Sequence, residues 1–223
     1  MSKKELKITK YCNECGTGAI INSTICTSCG AELMTSKGMQ FVQPIRSKQD
    51  IEKMKSYLKS KNIRDWVLFT LGINSALRIS DLLKITVSEV IDDNGNIRDR
   101  LRLKETKTGK SKDFPFSNKV RDALKEYISI ANPTEFLFPS KKGGAIQRTY
   151  ANKILSDAAK AIGIKENIGS HSMRKTWSYQ AYKEGVSLAQ ISDALNHSTE
   201  KMTRKYLGLT QESLDNVFMS MDL

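Results

Sequence analysis

The sequence predicts a mainly α-helical domain with a small antiparallel three-stranded sheet near its start, preceded by a small cysteine module. Three observations carry this. Apolar residues recur at helical spacing over most of the chain beyond Pro44, one segment between two turn signals alternates instead, and all four cysteines fall within the first thirty residues. At 223 residues the chain has room for one domain of ordinary size and a small module.

Residues 1–36 hold few large apolar side chains and cannot build a core without a staple. Cys12-Asn13-Glu14-Cys15-Gly16 and Cys26-Thr27-Ser28-Cys29-Gly30 form two C-x-x-C-G knuckles. The two-residue gap lets both thiolates of a knuckle reach one metal, and the following glycine permits the tight turn. Four thiolates favour tetrahedral zinc, whose binding supplies on the order of 10 kcal/mol of folding energy. Disulfides would need an oxidising compartment, and a redox pair would need a surrounding βαβ pattern that the sequence lacks. The expectation is a zinc-ribbon-like four-cysteine module, with a structural Zn2+ on Cys12, Cys15, Cys26 and Cys29. Lys3, Lys4, Lys7 and Lys10 favour its contact with DNA. A linker spans 37–44.

The larger domain, 45–209, opens at Ser47, an N-cap candidate with Asp50 three residues on. Ile51, Met54 and Leu58 stripe the first helix, and a second runs from Arg64 into the Leu71–Ala76 region. A short helix starts near Ser80. From Val87 to Phe116 the pattern changes. Asp92-Asp93-Asn94-Gly95 and Thr108-Gly109-Lys110 signal turns. Between them Ile97, Leu101 and Leu103 share one parity, and Arg98, Arg100, Arg102 and Lys104 the other, giving a sheet with one basic face. Lys107 shares the parity of Leu101 and Leu103 and is expected to turn inward at the sheet's end. Helices resume from Asn118 to Asn132-Pro133, with Val120, Leu124, Tyr127 and Ile128 at helical spacing. After the Lys141–Gly144 loop, helices follow at about Arg148–Ile162, Ser172–Lys183, Leu188–Leu195 and Thr199–Leu207. The tail, 210–223, carries Leu214, Val217, Phe218 and Met221 at near-helical spacing, as would a helix that packs on its own domain or on a neighbouring protomer.

A formal charge of +12 attracts polyanions and points to nucleic acid before an acidic small molecule. Apolar stretches such as Trp66 to Leu71 are too short to cross a bilayer. A basic-then-apolar secretory signal is not seen at the start, so the expected location is cytoplasmic, with no membrane partner.

The chemistry-bearing residues lie far apart in sequence. Arg78 stands before a short helix, in Ala76-Leu77-Arg78-Ile79-Ser80-Asp81. His171 and Arg174 are three apart at a helix start and share a face. His197 precedes Ser198-Thr199-Glu200, with Tyr206 near the end of the helix that follows. These residue types suit phosphodiester exchange without a metal. Negative charge builds on the nonbridging oxygens in the transition state, and two guanidiniums can bind them bidentately. A tyrosine hydroxyl, with an ordinary pKa of about 10, needs help to become a nucleophile, and an imidazole supplies it. The departing oxygen needs a proton, which a lysine can deliver.

The segments Ala76–Leu83, His171–Arg174 and Leu195–Tyr206 resemble the signature boxes of the tyrosine recombinases, a family that includes phage integrases. The resemblance covers roughly Pro44 to Leu209. It implies Arg78, Lys107, His171, Arg174 and His197 as activating residues and Tyr206 as nucleophile, with Asp81 in support. Lys107 would be the general acid, with Lys110 and Lys112 of the same hairpin as alternatives, His171 would assist proton transfer, and the arginines with His197 would hold the phosphate. Tyr206 would form a 3′-phosphotyrosyl link, released when a 5′-hydroxyl of a second duplex attacks, with no cofactor for catalysis. Double-stranded DNA is the implied partner, and the tail would pass to a neighbouring protomer in a tetramer. Most members carry a helical core-binding domain before the catalytic one. In this sequence the catalytic pattern begins near Ile45 with the cysteine module ahead of it, and the ribbon is expected to replace part of the DNA clamp. A non-cutting DNA-binding regulator and a tyrosine-type topoisomerase are the alternative readings.

Overall fold

The computed structural model describes residues 42–207, the short segments 8–11 and 18–20, and Met219 and Met221. Strands β1 (Ile8–Tyr11) and β2 (Gly18–Ile20) pair antiparallel, with Ile8 opposite Ile20 and Tyr11 opposite Gly18. Cys12, Cys15, Cys26 and Cys29 lie outside the described residues, as does most of the tail. Among the described residues, no group of three or more His, Cys, Asp or Glu is placed to hold a metal ion.

Helix α1 (Lys48–Lys61) begins as the sequence requires, with the Ser47 hydroxyl accepting from the Asp50 N–H at 3.2 Å. Its Ile51, Met54 and Leu58 are buried. Asn62 ends α1 and caps α2 (Ile63–Ser75), its side-chain oxygen accepting from the Arg64 N–H at 2.9 Å. Val67, Leu68, Phe69 and Leu71 of α2 are all at most 1% exposed, so this helix forms the centre of the core. Each such side chain contributes about 1.5–3 kcal/mol on burial. Around α2 pack α1, α4 (Asn118–Ala131) and α6 (Ser170–Lys183). The α2–α6 approach depends on Gly72, where an added Cβ would lie 2.3 Å from Met173 Sδ.

After α3 (Ile79–Leu82) and a 3₁₀ turn at Val87–Glu89 comes a hairpin of β3 (Arg100–Lys104) and β4 (Ser111–Pro115). Leu101 stands opposite Phe114 and Arg102 opposite Asp113. Alternation is as expected: Leu101 is fully buried, while Arg100, Arg102 and Lys104 face solvent. The expected third strand is not formed, and this sheet has two strands. The segment from Ile91 to Ile97 makes one isolated bridge between those two residues. The Asp92 turn forms as expected, its carboxylate accepting from the N–H groups of Asn94 and Asn96 at 2.9 and 2.8 Å. The strand before it gives way to the Val87–Glu89 turn, where the Glu89 carboxylate accepts from the Thr86 N–H at 2.8 Å.

Helix α4 is capped by Ser117, and a left-handed Asn132 ends it before Pro133. Its Val120, Ala123, Leu124 and Tyr127 are buried, and the Tyr127 hydroxyl donates to the Leu137 carbonyl at 2.9 Å. Helix α5 (Arg148–Ala161) holds the start of α6, since the Asn152 side chain accepts from the Ser170 N–H at 2.8 Å. The Ser172 hydroxyl accepts from the Gly169 N–H at 3.0 Å, so α6 begins two residues ahead of the expected Ser172. Helices α7 (Leu188–Ala194) and α8 (Glu200–Leu207) close the domain against α6. None of the described helices is long and apolar enough to cross a membrane.

Candidate active site

Two left-handed residues shape the site. Ala76 (φ 53°) ends α2 and turns the chain into Leu77 and Arg78, while Asn196 (φ 50°) turns it from α7 into His197. A non-glycine residue in this region costs about 1–2 kcal/mol and needs surrounding structure to hold it. Arg174, only 3% exposed, supplies part of that. Its guanidinium donates to the carbonyls of both Ala76 and Leu195, joining the Arg78 turn to the His197 turn. Burial, first of all, and then the neighbouring Arg78 lower its pKa, against the Tyr206 hydroxyl and the carboxylates of Glu105 and Asp81.

Arg78 stands at the N-cap of α3 and pairs with Glu105 Oε2 at 2.8 Å. Glu105 is fully buried, and its Oε1 lies 4.0 Å from Arg174 Nη1. Burial pushes the Glu105 carboxyl up. Hydrogen bonds from Thr108 and Asn196 and the Arg78 charge outweigh it, leaving the pKa below the usual value. Asp81 is buried one turn after Arg78 and accepts from the Thr106 N–H at 2.9 Å, fixing the hairpin's turn to α3.

Lys107 sits on that turn and is exposed. The expected inward orientation is not met, because the alternation ends where the turn begins. Backbone bonds between Glu105 and both Gly109 and Lys110, each 2.9 Å, close the turn, and Glu105 takes the last inward position. The hairpin lysine that reaches the arginines is Lys112. Its Nζ donates to the Ala194 carbonyl at 2.6 Å and to that of Ala76 at 3.4 Å. Burial, with help from Arg174 and Arg78, lowers its pKa to about 7.

His171, 6% exposed, lies in the first turn of α6, one turn ahead of Arg174. His197 is half-buried, and its Nδ1 is 3.0 Å from Thr203 Oγ1 of α8. Burial and the charges of Arg174 and Arg78 push it down to about 4, so at neutral pH it is an uncharged imidazole. Tyr206 packs by Ala76, Ile191 and Leu195, with its ring edge-on to His197 at 5.4 Å between centroids. Lys175 Nζ stands 5.4 Å from the same ring and donates to the Val42 carbonyl at 3.0 Å.

The structure thus gathers Arg78, Asp81, Arg174, His197 and Tyr206, with His171 beside them on α6, while Lys107 remains on the rim. Glu105 and Lys175 were not singled out from the sequence, and Lys112 stood there only as a hairpin alternative to Lys107. For Glu105 the one signal was strand parity, which places it with Leu101 and Leu103.

A small helical domain with a basic hairpin thus brings one buried and one half-buried arginine, a half-buried histidine and a tyrosine together, the arrangement expected of a tyrosine recombinase catalytic domain. The sequence profile of the phage integrase family matches residues 46–213. The chain belongs to the phage integrase family. It is 39% identical over 176 residues to "Probable integrase/recombinase YoeC" of Bacillus subtilis (strain 168), covering 78% of this chain and 94% of that one. It is 26% identical to "Tyrosine recombinase XerD" of Corynebacterium glutamicum, covering 70% of this chain and 52% of the relative, so it spans about half of that protein. In fold it is similar to the XerH site-specific recombinase bound to a palindromic difH substrate in a post-cleavage complex. The TM-score is 0.63 at 17% identity, over 84% of this chain and 57% of XerH.

Proposed function

We propose that this chain cuts and rejoins double-stranded DNA at a defined site through a covalent bond to Tyr206. The observation that carries the reading is the convergence of Arg78, Arg174, His197 and Tyr206 from four separate segments. The Tyr206 oxygen attacks the scissile phosphorus as its proton passes to a base, with His171 and His197 as candidates. The bond to the 5′-oxygen breaks, and that oxygen leaves as a hydroxyl after taking a proton from an acid. Lys107 is the candidate acid by family resemblance. Its exposure on a hairpin turn suits a side chain that closes onto DNA. Arg78 and Arg174 offset charge on the nonbridging oxygens. One phosphodiester-type bond replaces another, so the step needs no ATP, and a second 5′-hydroxyl reverses it on a new strand.

In this reading 45–209 is the catalytic unit, and the tail links protomers into a tetramer on DNA. The spacing of Cys12, Cys15, Cys26 and Cys29 supports a structural zinc in the 1–36 module. One zinc per chain by mass spectrometry under native conditions, lost when Cys26 and Cys29 are changed to serine, tests that assignment.

The cleavage reading is tested with a suicide DNA substrate carrying a candidate site. A denaturing gel should show a protein–DNA adduct with wild type and none with Tyr206→Phe. A persisting adduct in the variant would assign another nucleophile. Binding without any adduct would favour a non-cutting regulator, and relaxed circles without recombinants a topoisomerase.

A further inference from the structure

Glu105 joins three segments of the site through a single carboxylate. Its Oε2 accepts from Thr108 Oγ1 of the hairpin turn at 2.7 Å and from Asn196 Nδ2, beside His197, at 2.8 Å. The same oxygen pairs with Arg78 at 2.8 Å, and Oε1 faces Arg174. Its backbone closes the turn that carries Lys107. The side chain is fully buried, and Oε1 has no hydrogen-bond partner. A buried carboxylate with one uncommitted oxygen is costly where only packing is needed, and it is retained here among Arg78, Arg174 and Lys112.

We propose that Glu105 is a positioning residue for cleavage, holding the Lys107 turn, Arg78 and the Asn196–His197 turn in one register while its charge keeps the site's cations in place. The inference rests on the cleavage reading above. Thr108 and Asn196 each approach from an element that otherwise has its own freedom, a hairpin tip and an interhelical turn. Releasing either lets the acid or the histidine drift from the phosphate. Misplacement by about 1 Å in such a constellation costs on the order of 10²-fold in rate.

The charge also acts on the titrating groups that surround it. These are Lys112 of β4, Arg78 and Asp81 of α3, Arg174 of α6, and His197 before α8. The Glu105 carboxylate favours the protonated forms of Lys112 and His197, against the arginines that oppose them. Removing its charge moves both groups to lower pKa; His197 is already uncharged above pH 5.5, so the shift in the cleavage profile comes from the Lys112 ammonium beside the two arginines. A part that only filled space would leave that profile where it is.

The experiment measures adduct formation on the suicide substrate from pH 5.5 to 9 for wild type, Glu105→Gln and Thr108→Val, with DNA affinity taken in parallel. The expected result is a rate loss of about a hundredfold for Glu105→Gln and a smaller loss for Thr108→Val, with little change in DNA affinity. The Glu105→Gln profile should also shift to lower pH. Thr108 is on the exposed turn, so its variant decides the matter should Glu105→Gln fail to fold. Wild-type rates and an unmoved profile in the variants, beside a cleaving wild type, would overturn this inference alone. A wild type that binds the site and forms no adduct would overturn the cleavage reading and this inference with it.

Discussion

Replacing Gly72 by alanine tests the contact that places α6, and with it His171 and Arg174, against the core. The new Cβ would lie 2.3 Å from Met173 Sδ, 3.0 Å from its Cε and 3.2 Å from Leu82 Cδ2. Met173 is 2% exposed and Leu82 fully buried, so neither has open space to retreat into. Overpacking of this kind costs about 1–3 kcal/mol. Alanine in a helix interior returns about 1 kcal/mol over glycine. The net expectation is a loss of about 0–2 kcal/mol, or a fall of a few degrees in Tm at this chain length. Because Met173 adjoins Arg174, cleavage should fall further than stability does. The assay is urea unfolding at constant m-value, paired with adduct formation on the suicide substrate. Met173→Ala alone leaves a cavity costing about 2–5 kcal/mol. Combined with Gly72→Ala it should cost less than the sum of the two, by about 1 kcal/mol. A Gly72→Ala chain stabilised by the full helix-propensity gain, with unchanged cleavage, would refute the close packing.

Three further expectations follow from the site's charges and the core. The Lys112 pKa is lowered to about 7 in the fold, so between there and its ordinary value the unfolded chain holds a proton the folded chain has released. Stability should therefore rise with pH above 7 relative to Lys112→Met, by at most about 1.4 kcal/mol per pH unit. Urea unfolding at pH 6.5 and 9 measures it, and a parallel pH dependence in the two proteins would contradict it. His197, pushed down to about 4, should show no imidazole titration by NMR above pH 5.5 in the DNA-free protein. Tyr127→Phe removes the buried hydroxyl bonded to Leu137 and leaves that carbonyl short of a donor, at a cost of about 1–3 kcal/mol in chemical unfolding with cleavage unchanged.

Much of the helical framework was legible because single residue types carried it. Ser47 before a stripe of Ile51, Met54 and Leu58 defined α1, and Val120, Leu124 and Tyr127 defined the buried face of α4. Strand parity placed Leu101 inside. It failed at Lys107, where the turn ended the alternation, and it promised a third strand where Thr86 and Glu89 instead cap a 3₁₀ turn over Val87–Glu89. The arginine, histidine and tyrosine positions were legible through a family pattern and not through periodicity. Glu105, and the burial of Lys112, were illegible for a different reason. A charged side chain goes inside only when its partners arrive from elsewhere in the chain. Those partners are Asn196, 91 residues from Glu105, and Ala194, 82 residues from Lys112.

The central claim is that Tyr206 becomes covalently joined to DNA. The most direct measurement is to trap wild-type protein on a suicide substrate, digest both components, and locate the nucleotide-bearing peptide by mass spectrometry. The account predicts a 3′-phosphonucleotide on the peptide containing Tyr206, alone among the seven tyrosines of the chain. A nucleotide on any other residue would contradict it.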